Sequence, residues 1–186
     1  MTINQTLREA DQKMDKAVEV TREDFAAIRA GRAHPSMFSK LTADYYGTPT
    51  PIQQLAGFTA PEARIILVQP YDLGALPAIE RAIRDSDLGV NPSNDGKLIR
   101  CVFPELTEER RKEYTKIARS KAEDGRVSVR NIRPNAKQAL EKLERDGEVG
   151  KDDVTGAEKR LDGATRKHTD AIDEMLKHKE AELLEV

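Results

Sequence analysis

The sequence predicts an α+β protein in two parts: an antiparallel three-helix bundle and a small α/β domain, β-rich and sandwich-like, inserted into it. Three observations carry this. Apolar residues recur at steps of three and four along residues 3–29, 107–146 and 152–183, the period of a helix with one packed face. Eight of the nine prolines and six of the eight Tyr and Phe residues fall between Pro35 and Pro104, where an uninterrupted bundle has no place for them. Charged residues make up 34% of the chain and aromatics 4%, with no tryptophan, a composition of solvent-clad helices. The expected domains are therefore 1–30 with 106–186 for the bundle and 31–105 for the insert.

The first helix is read from Ile3, Leu7, Ala10, Met14, Ala17, Thr21, Phe25 and Ile28. Gly31 is expected as the residue that closes it, and Pro35 blocks its continuation. Within the insert, Leu41–Tyr46, Arg64–Gln69 and Lys97–Phe103 read as strands. Tyr46–Pro51 reads as a turn or extended corner and Asn91–Gly96 as a turn, and Pro77 opens a short helix that faces Ile79, Ala82 and Ile83 inward. Thr107 is the expected N-cap of the second long helix, with Glu108 and Glu109 in its first turn. Ala118, Ala122, Gly125, Val129, Ile132, Ala136, Ala139 and Leu143 form its packing seam. Gly125 on that seam suits a close helix approach, and Pro134 is expected to kink the helix near Ile132–Arg133 rather than break it, because both seams continue in phase beyond it. The helix ends near Asp146-Gly147, and Asp152 or Asp153 caps a third whose seam runs Val154, Ala157, Leu161, Ala164, His168, Ala171, Met175 and Leu183. Lys179 takes the seam position before Leu183, its stem along the bundle and its charge in water.

Charge is distributed unevenly. The formal net charge is −2, yet Arg110–Lys137 holds ten basic residues against three acids. Lys112, Lys116, Arg119, Arg126, Arg130, Arg133 and Lys137 follow at steps of 4, 3, 7, 4, 3 and 4, which keeps them on one face. At ~1.5 Å per residue that row is ~35–40 Å long, enough to follow several phosphates of a nucleic acid. A solvated bundle face is the plainer alternative, but such faces interleave acids at i,i+4 and this one offers only Glu123.

Catalytic constellations are missing. His34, His168 and His178 are scattered, Cys101 is alone, and no glycine-rich phosphate loop or nucleophile elbow occurs. His168 falls on a packing seam, where a hydrogen-bonded core histidine is the expectation. The chain is therefore expected to be no enzyme, to take no cofactor and to hold no metal. The single cysteine, the lack of a membrane-length apolar run and the lack of a leader pattern lead to a cytoplasmic protein. Two short connections, Gly31-Arg32-Ala33-His34-Pro35 and Pro104-Glu105-Leu106, join insert to bundle and form the expected two-stranded hinge.

Five stretches carry a family resemblance: Arg29-Ala30-Gly31-Arg32-Ala33-His34-Pro35, Tyr45-Tyr46-Gly47-Thr48-Pro49, Ser86-Asp87-Leu88-Gly89-Val90-Asn91-Pro92, Leu106-Thr107-Glu108-Glu109-Arg110-Arg111 and Val129-Arg130-Asn131-Ile132-Arg133. With Lys179-Glu180-Ala181-Glu182 near the end, the chain is similar to bacterial ribosome recycling factors over nearly its whole length. The resemblance implies an L-shaped molecule of tRNA-like dimensions, working as a monomer. It implies that, with elongation factor G and GTP hydrolysis by that factor, the protein splits the post-termination ribosome into subunits. It implies a bundle lying on large-subunit ribosomal RNA and an insert facing elongation factor G. Arg130 and Arg133 match the family's Arg-Asn-x-Arg motif, whose arginines contact RNA, and Arg110 and Arg111 match the usual opening of the second helix. The family commonly follows that motif with another arginine; here Pro134 stands instead. Two other readings remain: a helical adaptor binding protein partners through its bundle, and an RNA-modifying enzyme with its site in the insert, for which Asp44, Tyr45 and His34 make a poor set.

Overall fold

In a computed structural model the described residues are 1–28 and 31–185. Arg29 and Ala30, which open the first family motif and close the expected 3–29 helix, lie outside them, as does Val186. In chain order the elements are α1 (Ile3–Ala26), a 3₁₀ turn (Pro35–Phe38), β1 (Thr42–Tyr45), β2 (Thr48–Pro51), α2 (Ile52–Leu55), β3 (Ala56–Glu62), β4 (Ile65–Pro70), a second 3₁₀ turn (Leu73–Ala75), α3 (Leu76–Arg84), β5 (Asn91–Asn94), β6 (Ile99–Val102), α4 (Glu108–Arg145) and α5 (Lys151–Leu184). By contact, the chain divides into two compact units, Met1–Asp24 with Ala118–His178 and Phe25–Ile117 with Lys179–Val186.

The first unit is helical. Arg126 meets Asp173 and Arg133 meets Asp162, so α4 and α5 run antiparallel. Asn4 meets Arg160 and Asp15 meets His168, so α1 runs parallel to α5. The seams expected from periodicity are found with small shifts. Val18 and Ile172 are buried where Ala17 and Ala171 are the expected centres, and Leu140 is buried in place of Ala139. In each case the larger of two adjacent residues takes the core, since it removes more apolar surface from water.

Helix ends follow local chemistry. The N–H of Arg110 donates to Thr107 Oγ1 at 3.1 Å, the expected cap of α4. At its far end Gly147 adopts φ +72°, and the N–H groups of Gly147 and Glu148 donate to the carbonyls of Glu144 and Leu143, the paired bonds of a Schellman closure. The start of α5 departs from expectation. Its first residue is Lys151, and Asp153 reaches back to accept from the Gly150 N–H at 3.3 Å, with Asp152 and Asp153 both in the first turn. The helix begins before those acids, which act from inside it. Pro134 does not break α4, which is continuous for 38 residues. Its missing N–H leaves the Arg130 carbonyl without its i+4 helical donor, and both residues are exposed.

Lys179 corrects another expectation. It is 8% exposed, with Nζ 3.4 Å from Glu182 Oε2, and burial pulls its pKa down despite that carboxylate. The ammonium is held by an acid rather than left in open water. Gly31 likewise differs from its expected role. α1 ends at Ala26, and Gly31 is needed for space, because a Cβ there would lie 2.7 Å from the Glu185 carbonyl oxygen.

The second unit contains a two-stranded sheet, β1–β2, and a four-stranded sheet in the order β3-β4-β6-β5, every pairing antiparallel. The three expected strands are β1, β4 and β6; three more are hidden in the sequence by proline and glycine. Tyr46 and Gly47, at φ 50° and 80°, make the tight loop between β1 and β2. In β2, Pro49 and Pro51 pair with Asp44 and Thr42, alternate positions that ask no N–H of them. Pro92 sits on β5 and Pro61 on β3, both edges of the larger sheet. Inward alternation on β6 buries Ile99 and Cys101, which pack with Phe38, Ile66, Val68, Ile79 and Ile83. Burial pushes the Cys101 thiol up to about 12, so it stays a protonated, inert core residue.

Among the glycines of the helical unit, Gly125 has the least room for a side chain. A Cβ there would lie 2.2 Å from Thr21 Oγ1 and 3.1 Å from Ile172 Cδ1, inside any real contact with a β-branched side chain that cannot swing away. Gly125→Ala gains ~1 kcal/mol of helix propensity but overpacks the seam at ~1–3 kcal/mol. Urea denaturation is expected to show a net loss of stability that Thr21→Ala, in the same chain, partly restores; a more stable single variant refutes the close approach.

Candidate nucleic-acid interface

The cationic row predicted on the second long helix lies on α4, and its members divide into three groups. Arg130 is open, its side chain 57% exposed and its nearest acid, Glu123, 3.7 Å away. Arg133 is at the margin, 36% exposed, with Nε donating to Asp162 Oδ1 at 2.5 Å. The Asp162 carboxylate, by that bond, raises the guanidinium's pKa further, so the group stays charged. Arg126 is mostly covered, 19% exposed, donating from Nε to Glu123 at 3.1 Å and from Nη1 to Asp173 at 2.7 Å. Arg119 is exposed, and Lys137 is half-buried with no acid within ion-pair distance among the described residues.

Helical phase explains the division. At ~100° per residue, Arg126 and Arg133 lie only ~50–70° from the centre of the buried seam, whereas Arg130 lies ~110° away. The expectation that all seven basic residues face solvent therefore holds for Lys112, Lys116, Arg119 and Arg130 but not for Arg126, which turns toward α5. Arg126 and Arg133 recur every seven residues along the border, and each meets an aspartate of the antiparallel α5. Sequence reasoning missed Asp162 and Asp173. Their signal is present, since residues equally distant from the loop between two antiparallel helices face one another, but it requires pairing the helices first.

Around Arg130 the face is not purely cationic. Val127 is 43% exposed, and Pro134 is exposed one turn beyond Arg130. This patch offers a guanidinium, apolar surface and, at Arg130, a carbonyl to which Pro134 cannot donate, all within two turns.

The remaining predicted residues lie in the second unit. Arg110 pairs with Glu113 at 3.8 Å and Lys112 with Glu108 at 3.5 Å, all well exposed; Lys116 is exposed. Arg111 is half-buried, and its Nε is buried without a hydrogen-bond partner, so it is a packed residue rather than an outward one. The residues predicted as a hinge are unequal too. Ala33 is 5% exposed and its N–H donates to the Ala63 carbonyl at 2.7 Å. The His34 ring accepts from the Ser36 N–H and caps the turn opened by Pro35. Leu106 is 6% exposed. Gly31, Arg32, Pro104 and Glu105 carry no such side-chain anchor, and Pro104 and Glu105 are exposed.

Among the described residues no helix is long and apolar enough to cross a membrane. The family profile for ribosome recycling factors matches residues 21–184. A ribosome-recycling factor from a Nocardioides species is 77% identical over 184 residues, covering 99% of this chain and all of that protein. A solution structure of a ribosome recycling factor aligns with TM-score 0.78 at 37% identity, covering 100% of this chain and 99% of that one. A second structure aligns with TM-score 0.69 at 41% identity over the full length of both chains; it describes the T. thermophilus ribosome recycling factor and E. coli elongation factor G bound to the E. coli post-termination complex. The chain belongs to the ribosome recycling factor family, a family of non-enzymatic translation factors.

Proposed function

We propose that this chain binds the post-termination ribosome and, with elongation factor G and the GTP that factor hydrolyses, splits it into subunits, acting in the cytoplasm as a monomer. The observation that carries the proposal is the row from Arg119 to Lys137 on one unbroken helix, in a chain of this family. Arginine suits ribosomal RNA because its planar fork takes a phosphate through two parallel bonds. Holding several forks on a packed helix lowers the ordering cost of binding. No aromatic residue lies between Arg119 and Lys137, so the mode is recognition of backbone and shape, not stacking on splayed bases.

Within that row Arg130 and Arg133 are the principal contacts, flanked by Arg119 and Lys137. Arg126 contributes less, because two acids already occupy its fork. Arg110, Lys112 and Lys116 extend the surface toward the start of α4, and Arg111 serves packing. Residues 1–30 and 106–186 act as the RNA-binding bundle, and 31–105 as the part that receives the push from elongation factor G. Its pivot is confined to Gly31-Arg32 and Pro104-Glu105, the positions that no side-chain anchor holds.

Three outcomes test this. Light scattering of post-termination ribosomes falls when the chain, elongation factor G and GTP are all present; an unchanged signal removes the proposed activity. Arg130→Ala with Arg133→Ala leaves the helical circular-dichroism signal intact and weakens ribosome binding, and the slope of log affinity against log salt falls by about one for each phosphate left without its arginine. An unaltered slope means these residues touch no phosphate. Cysteines at Arg32 and Glu105, joined by a flexible bismaleimide, spare ribosome binding but slow splitting, the buried Cys101 remaining unmodified; normal splitting by the linked protein excludes a pivot there.

A further inference from the structure

We infer that Asp11, Asp15 and His168 form a binding site for a first-row divalent cation, Zn2+ being the best fit, which clips α1 to α5. One cysteine and three scattered histidines give no sign of it in the sequence; folding brings these residues together. Asp11 and Asp15 stand one turn apart on α1, and His168 reaches them from α5. One ligand atom from each residue lies within 4.8 Å of the other two.

The histidine supplies the argument. Its side chain is 4% exposed, and Nδ1 lies 2.6 Å from the Ala164 carbonyl oxygen, which can only accept. Nδ1 therefore carries a proton and donates it. That bond fixes the ring and aims Nε2 at the two carboxylates, 2.6 Å from Asp15 Oδ1 and 3.8 Å from Asp11 Oδ1. Nε2 thus also faces only acceptors. A metal-bound imidazole anchored through its other nitrogen to a backbone carbonyl is the usual arrangement around Zn2+. Ligand atoms around a tetrahedral Zn2+ with bonds of ~2.0–2.1 Å stand ~3.3 Å apart. The two observed separations bracket that value, so a small turn of the exposed Asp15 carboxylate completes the set.

Access and open coordination are also provided. A cavity of about 430 Å³ lined by Asp11 and Ala164, together with Leu7, Arg8 and Arg160, opens beside the cluster. It supplies the path by which an ion arrives and the water that fills its fourth position. Arg8 and Arg160 oppose a cation, which sets the affinity below that of an all-acidic cage. One imidazole and two carboxylates suit Zn2+, Co2+ or Mn2+ rather than Ca2+, which takes six or more oxygens.

The test is calorimetric titration of the full-length protein with ZnCl2, beside Asp11→Asn, His168→Gln and His178→Gln variants. Asp11 touches the cluster only at 3.8 Å and is half exposed, so Asp11→Asn folds normally. The expected result is one equivalent bound with micromolar affinity and a raised Tm. Affinity is expected to fall at least about tenfold in Asp11→Asn, as large as the loss of a supporting partner, and to stay unchanged in His178→Gln. In the Co2+ form, the visible spectrum shows a nitrogen–oxygen site that His168→Gln abolishes. No binding, or binding that Asp11→Asn leaves intact, overturns the proposal; binding lost only in His178→Gln assigns the ion to the exposed Glu174–His178 pair and overturns it equally.

Discussion

The contact of Gly125 with Thr21 and Ile172 decides how α4 is rolled, and the presentation of the cationic row depends on that roll. The basic residues of α4 occupy one side of a helix whose other side is packed. A rotation by one residue, ~100°, would carry both Arg126 and Arg130 into the core. Alanines at 118, 122 and 136 line the rest of the seam with small side chains. A glycine opposite a threonine and an isoleucine makes that position a lock, because a Cβ there would collide with both side chains.

That lock gives the border acids their effect. Asp162 and Asp173 sit on α5 where the rolled α4 delivers Arg133 and Arg126. The two arginines have different fates because they differ in donors left over. A guanidinium has five N–H groups in a plane. Arg133 spends Nε on Asp162 and keeps both terminal nitrogens, so its tether is also an aim. Arg126 spends Nε and Nη1 on two acids and is four-fifths covered, so it works chiefly as a brace between the helices. Exposed ion pairs of this kind add little stability of their own; what they fix is direction.

The sequence made the helical part legible and the sheet only half so, for reasons visible in particular residues. Seams, the Thr107 cap, the Gly147 closure and the tight approach at Gly125 are local or periodic features, and each is readable from its neighbours. β2 and β5 read as turns in the sequence because proline ordinarily denies a strand. The prolines are tolerated because they sit on edges or on the parity of the ladder that needs no donor. Propensity cannot see that parity; only the pairing reveals it. For the same reason the row of basic residues is legible as a row, while the sorting of Arg126, Arg130 and Arg133 is not. Exposure at a helix border depends on what the next helix places opposite.

Pro134 brings these lines together. On sequence grounds it is a defect in the helix and the loss of an arginine the family commonly carries. In the fold it leaves α4 continuous, and the buried seam keeps its phase on both sides of it. The charge that is missing has been exchanged for an acceptor and an apolar edge beside the most exposed of the three arginines. Ribose presents a hydroxyl donor next to each phosphate, and a carbonyl cannot bind phosphate but can take that hydroxyl. In the RNA-bound state proposed above, the face around Arg130 would therefore pair one cation with a carbonyl able to take a ribose hydroxyl.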